Sequence, residues 1–327
     1  MQVKSPKRLV KHLAMLAGRT QHRLDSRPGR ELTNDRRHLD HFRARSNKCK
    51  YCKHDVIQII VMGMLRIYKR FWQVNWAEQW QYRANLLMYL AYWMVSPIIY
   101  LSVWSAIANA QGSVGGLTAG DFAAYYLTVL PVDILTASIT IHILGYKIQD
   151  GTIANELLRP AHPVLTNTLI NSIAFKALQM FIFVPIWLLL VLIFQPNLTI
   201  TATSILTAAP AIILGFLINF LFDGCITLIA FWTTRVWAVQ QMNGAVMQLF
   251  NGAFVPLSLL PGAMQGIARV LPYQLWLSFP VMVLLNKLDA ATIATNYALQ
   301  ALWLLIFFGI FKLMWSRAVK RFSAVGA

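Results

Sequence analysis

The chain is predicted to be an all-α, polytopic membrane protein with six transmembrane helices. Three observations carry that reading. Hydrophobic residues make up 57% of the 327 positions and charged residues only 13%, about half the charged share of a soluble domain. From Ala84 onward the apolar residues gather into stretches close to the ~20 residues a helix needs to cross the hydrocarbon. Positive charge is crowded ahead of the first stretch: 19 of the 29 Lys and Arg, against 6 Asp and Glu, precede Ala84.

Spans are expected at 84–108, 122–146, 174–194, 204–232, 244–260 and 291–314. The basic flank before the first span places the N-terminus in the cytoplasm by the positive-inside rule. An even number of crossings returns the C-terminus to the same side, where Lys312, Arg317, Lys320 and Arg321 agree. The connections 147–167 and 233–243, with Lys147, Arg159 and Arg235, are then cytoplasmic. Those at 109–121 and 195–202 hold no Lys or Arg and are external. Arg269 and Lys287, in the segment 261–290, run mildly against the rule.

Residues 1–61 form a basic, polar stretch without sustained periodicity, which reads as a disordered tail. Met62 and Met64 stand just before Leu65-Arg-Ile-Tyr-Lys-Arg-Phe-Trp72, so the tail also reads as an over-extended start, with the membrane domain at 62–327. No apolar core follows a short basic region early in the chain, as a secretory signal requires. Cys49 and Cys52 form a CxxC with His38, His41 and His54 nearby; without a second ligand pair no metal is expected there. The net charge of +17 comes with no nucleic-acid recognition motif, so no nucleic-acid partner is expected. Cys225, inside a span, is expected to be a packing residue.

Two segments flank the spans. Phe71, Trp72, Trp76 and Trp80 share one broad face of a helix before the first span, with Lys69, Arg70 and Arg83 at its edges. That is the make-up of a helix lying in the membrane interface, or of an aromatic belt extending the first span. The segment 261–290 is interrupted by Pro272 and Pro280. It reads as a re-entrant hairpin or as short external helices, tolerated where protein covers the backbone.

The spans contain few ionisable residues. Asp133 falls near the centre of the second span, two residues after Pro131; Asp223 falls in the inner half of the fourth, beside Gly224, with Asn219 one turn earlier. A carboxylate at the bilayer centre costs roughly 2.5–3.5 kcal/mol by insertion scales, so it faces a bundle interior or a wet cavity. Either these groups line a substrate path, Asp133 serving as counter-charge to a cation, or nearby hydroxyls (Thr128, Thr136, Thr227) satisfy them. Lys176 and Arg235, near cytoplasmic span ends, are expected to snorkel. There is no G-x-x-x-x-G-K-[ST], G-x-S-x-G or H-E-x-x-H, so catalysis and nucleotide or cofactor binding by this chain are not expected.

The polar island Gln149-Asp-Gly-Thr-Ile-Ala-Asn-Glu-Leu-Leu-Arg-Pro-Ala-His-Pro163 stands between two long apolar spans on the cytoplasmic side. Gly151 is expected to break the second span, Thr152 or Asn155 to cap a short helix, and Pro160 and Pro163 to end it. Ile153, Leu157 and Leu158 would give this helix an apolar face, and Glu156 and Arg159 charged contacts to a partner. It is either a short mechanical lever or an ordinary interfacial turn.

The run from Asp150 to Pro163 resembles the Gly-x-(apolar)-x-x-x-Leu-Leu-Arg-Pro segment of bacterial ABC exporter permeases, more narrowly the type 2 permeases related to the daunorubicin-type drug exporters. The similarity extends through Asn171-Ser-Ile-Ala-Phe-Lys-Ala-Leu-Gln179 and the earlier Trp80-Gln-Tyr-Arg-Ala-Asn-Leu86, covering roughly 62–321 and leaving the tail out. The resemblance implies a multi-pass permease of the bacterial inner membrane that dimerises with itself or a sister permease. Cytoplasmic ABC ATPase partners would bind ATP and Mg and drive export of a small amphiphilic, drug-like or lipid-like substrate. It also implies that Gly151, Glu156, Leu157, Leu158 and Arg159 form the ATPase-coupling helix. Asp133, Asn219 and Asp223 are the candidate substrate path. Two other classes are open to such a chain: an ATP-independent secondary transporter or channel, and a non-transporting membrane scaffold.

Overall fold

The structure, a computed structural model, describes residues 66, 68–159, 162–233 and 236–321. The tail with Cys49 and Cys52, and Arg235, lie outside the described residues. Apart from one isolated bridge between Val114 and Leu117, the regular structure described is helical.

Helix α1 (68–81) carries the predicted aromatic face: the Trp72 and Trp76 rings stack at 5.9 Å, and Trp76 and Trp80 are exposed. A turn at Tyr82 leads into α2 (Arg83–Gln111). Buried Asn75 ties α1 to the bundle, its Oδ1 accepting a hydrogen bond from Asn171 Nδ2 at 2.8 Å. α3 (Ala119–Thr136) begins at a reciprocal cap: Asp121 N donates to Thr118 Oγ1 and Thr118 N to Asp121 Oδ2. Two of the helix's otherwise orphaned donors are thereby satisfied. Beyond a break, the chain resumes as a π-helical turn (Ile141–Gly145) and α4 (Tyr146–Gln149), then the short α5 (Ile153–Leu157). A π-helical turn at Val164–Leu169 leads into α6 (Ile170–Phe194). α7 (Ala202–Leu228) starts at a second reciprocal cap, between Thr201 and Ser204. Then come α8 (Val236–Phe250), the short α9 (Gly262–Val270), α10 (Tyr273–Trp276) and α11 (Ser278–Leu284), and the closing α12 (Ala290–Arg321).

Among the described residues, five helical segments are long and apolar enough to cross a membrane: Arg83–Gln111, Ala119–Gln149, Val164–Phe194, Ala202–Phe231 and Ala290–Arg321. They match five of the six expected spans. The sixth differs. Where a span was expected at 244–260, the helix begins earlier, at Val236, and stops after 15 residues at Phe250. Gly252 then takes a positive φ of 89°, and the backbone runs non-helically to Pro256. Two of its carbonyls are satisfied from α3: Tyr125 and Tyr126 hydroxyls donate to Gly252 O and Phe254 O, each at 2.8 Å. Irregular backbone inside a membrane protein requires such protein partners.

α3 is the axis of the fold. Phe122 to Leu130 are all buried, and they pack with residues of α2, α6, α7, α10, α11 and α12 in one apolar core. The outer faces of α6 and α12 instead leave Phe181, Leu192 and Leu305 at least 70% exposed, which suits lipid as the solvent. The segment 261–290 is three short helices, as Pro272 and Pro280 imply. Pro272 sits at the N-cap of α10 and Pro280 in the first turn of α11. Both helices are buried against α7. At Gly215 of α7 the backbones come so close that a Cβ would lie 2.8 Å from Trp276 Cα.

The connections sort to two ends. At one, Asn197 N donates to Gly120 O, Asn286 Nδ2 to Thr199 O, and Lys287 pairs with Asp121 at 3.6 Å. At the other, Lys147 pairs with Glu156 and the His162 ring lies 4.8 Å from that of Trp315. Lys287, one of the two cations that ran against the charge rule, is thus neutralised locally.

Candidate functional site

The second span does not continue to Gly151 as one helix. It breaks at Ala137–Ile139, between α3 and the π-helical turn. A break frees carbonyls at the end of one half-helix and N–H groups at the start of the next. Buried side chains from the two following spans meet both. Lys176 of α6 donates its ammonium to Leu135 O at 2.9 Å and to Ala137 O, and lies 4.2 Å from the centre of the Phe216 ring. Asn219 of α7 donates Nδ2 to Thr136 O at 3.0 Å. Across the gap, Asp223 Oδ2 accepts from Thr140 N at 3.1 Å and Ser138 Oγ at 2.7 Å. A cation therefore sits at a helix C-terminus and a carboxyl at a helix N-terminus, each at the end its charge favours.

Lys176 is only 7% exposed. The expectation that it snorkels to the cytoplasmic surface is corrected: the cut end of α3 supplies carbonyls that hold the ammonium inside. The hydroxyls expected to satisfy the carboxylates turn elsewhere. Thr128, Thr136 and Thr227 each donate to the carbonyl four residues earlier in their own helix, Ala124, Val132 and Asp223. Among the described residues no hydrogen bond reaches the Asp133 carboxyl, and Lys176 is the charge that acts on it.

Asp133, Asn219 and Asp223, singled out from three separate sequence positions, line one cavity of about 350 Å³ beside this break. Its other polar walls include Ser138, His142, Gln240 and Asn243, and its aromatic walls Tyr92, Trp93, Tyr100 and Trp276. Sequence reasoning missed Lys176 as a structural cap, and missed Ser138 and Gln240 altogether. The available signal was that each is a polar side chain in an apolar stretch.

Below the break lies the polar island. Gly151 has a φ of 74°, with open space where a Cβ would be. α5 starts after Thr152, whose side chain makes no cap bond; neither it nor Asn155 caps the helix as anticipated. Ile153 is fully buried and Leu157 packs on the same small core with Leu144, Ile148 and Phe311. Glu156 does not face outward. It is 7% exposed and takes the Lys147 ammonium on Oε1 at 2.5 Å. Within α5 the exposed residue is Asn155; just past its end Leu158, 86% exposed, and Arg159 also face outward. His162 follows, its Nδ1 accepting from Val164 N at 3.3 Å. Although the residue as a whole is exposed, desolvation of its ring lowers its pKa below the ordinary 6.5.

Long apolar helices, one of them broken beside a cavity lined by polar and aromatic side chains, define a multi-pass helical membrane protein. Residues 94–326 match the family described as ABC-2 family transporter protein. That match covers most of the chain, and the chain belongs to this family, as an ABC-2 type membrane permease. No curated protein and no solved structure matches it.

Proposed function

We propose that the chain is the transmembrane subunit of an ATP-driven exporter. It would move a small amphiphilic or lipid-like substrate, Asp133 favouring a cationic one, out of the cytoplasm or inner leaflet. Separate cytoplasmic ATPase subunits bind and hydrolyse ATP with Mg; this chain supplies the path and the lever. The observation that carries the reading is continuity. α5, with Leu158 and Arg159 exposed just past its end, is joined through α4 and the π-helical turn to the break in the second span, and that break forms a wall of the cavity holding Asp133, Asn219 and Asp223. A push on α5 therefore arrives at the cavity through a segment of only about 20 residues. Binding energy released outside the membrane needs such a linkage to shift the equilibrium between two states of the path.

In this reading α8 and the non-helical stretch after it make the fifth of six crossings, α9 to α11 are the external and re-entrant elements, and both termini face the cytoplasm of the bacterial inner membrane. Positive charge at the ends of the first and last spans supports that orientation. The permease works as a dimer, with itself or a sister chain. Co-expression with candidate ABC ATPase subunits, followed by native mass spectrometry in mild detergent, tests the proposal. Two ATPases held by two membrane chains is the expected result. A folded membrane chain that never retains an ATPase would overturn it in favour of an ATP-independent transporter or scaffold.

A further inference from the structure

A second cavity, of about 600 Å³, shares no lining residue with the first. Parts of α9, α11 and the start of α12 enclose it, next to the end of the fold where Lys287 pairs with Asp121. Leu257, Phe279, Met282, Leu288 and Leu299 give it apolar walls, and Arg269 is the one charged residue among those that line it. Gln265, Gln274, Thr295 and Asn296 direct donors to backbone carbonyls. The nearby Asp289 is taken up in capping α12, accepting from Thr292 N at 3.3 Å and Thr292 Oγ1 at 2.6 Å. The ion pairs among the described residues, Lys147 with Glu156 and Lys287 with Asp121, leave Arg269 out. Its side chain is exposed between Ile267 and Val270, two exposed apolar residues of α9. The depth suits a lipid. α12 has 32 residues, about 48 Å at 1.5 Å each against about 30 Å of hydrocarbon, so its first turns stand at headgroup level. Ala291 to Leu299, about 12 Å along the axis, carry the cavity wall from that level toward the acyl chains.

We propose that this second cavity seats an anionic phospholipid of the surrounding membrane, its phosphate on the Arg269 guanidinium and one acyl chain along Met282, Leu288 and Leu299. The planar guanidinium fork matches two phosphate oxygens. A zwitterionic headgroup brings the same phosphate but carries its own cation, which offsets the attraction. Of the two cations that run against the charge rule, Lys287 is then answered by Asp121 and Arg269 by lipid. The site is independent of the substrate path and does not require the exporter reading.

The test places the full chain in phosphatidylcholine nanodiscs doped with a trace of either phosphatidylglycerol or phosphatidylcholine carrying a diazirine on one acyl chain. After photolysis, peptide mass spectrometry reads the labelling of the wall segment 279–299. Phosphatidylglycerol is expected to label it about fivefold more than phosphatidylcholine, the effect of one arginine near a lipid surface. Arg269→Gln, at an exposed position, should bring that ratio close to one with the melting temperature unchanged. Arg321→Gln, in the last turn of α12, should leave the ratio as it is, and so should excess inorganic phosphate. Equal labelling of the unaltered protein by the two lipids would overturn the site. So would an Arg321→Gln effect as large as that of Arg269→Gln, since the preference would then follow net charge. Loss of the preference in inorganic phosphate would overturn the lipid in favour of a free anion.

Discussion

Lys176 and Asp223 cap the two cut ends of the same helix, the ammonium on the carbonyls of Leu135 and Ala137 and the carboxyl on the N–H of Thr140. Neither residue is on that helix. Lys176→Met keeps the length of the side chain and removes the donor, stranding two buried carbonyls. A loss of about 2–4 kcal/mol is expected, read as a lower melting temperature of the detergent-solubilised protein. An unchanged melting temperature would show that the break is held without this cap.

Among the described residues no hydrogen bond reaches the Asp133 carboxyl, so an amide of the same shape should fit there. Asp133→Asn is expected to reduce cellular resistance to cationic amphiphilic drugs while the assembled complex purifies in normal yield. Unchanged resistance would remove Asp133 from the substrate path.

Just past α5, Leu158 and Arg159 are exposed, whereas Glu156 within it is buried on Lys147. Replacing Leu158 with Asp and Arg159 with Glu should weaken ATPase retention about tenfold or more, as truncating central interface contacts does, without changing the melting temperature. Glu156→Gln should do the opposite, lowering the melting temperature before it affects assembly.

Glycines at two helix positions separate close approach from open space. At Gly215→Ala the new Cβ meets the backbone of Trp276, with an expected cost of about 1–3 kcal/mol. Gly309 has nothing within 4 Å, so Gly309→Ala should stabilise α12 by roughly 0.5–1 kcal/mol. Melting temperatures of the two variants should move in opposite directions.

His162 connects the island to proton concentration. Because desolvation of its ring holds its folded pKa below 6.5, the unfolded chain takes up the proton first as pH falls. The contribution of neutral His162 is therefore fully present above about 6.5 and is lost below it. His162→Gln cannot titrate, so the melting-temperature difference between wild type and variant should shrink as pH is lowered through that window. A difference independent of pH would remove His162 from the account.

The spans were legible because lipid imposes a length and a hydropathy on each helix, and five of them appear close to where the apolar stretches lie. The reciprocal cap at Thr118 and Asp121 and the interruptions at Pro272 and Pro280 are local chemistry of the same legible kind. The break at Ala137–Ile139 was not legible, since no Gly or Pro marks it and its caps come from residues 176, 219 and 223. Asp133, Asn219 and Asp223 could be picked out one by one as polar residues in apolar surroundings, but only the packing of α3 against α7 puts them around one cavity. Glu156 looked like a surface contact because its partner, Lys147, lies nine positions back across a turn rather than at a helical spacing.

The capping arrangement also sets an order on biosynthesis. When the second span leaves the ribosome its break is uncapped, and it stays so until Lys176 and then Asn219 and Asp223 have been made. A nascent chain paused after the second span holds a half-finished segment whose break carries unpaired backbone polar groups. Only when the fourth span arrives does the second have a reason to stay where it was put.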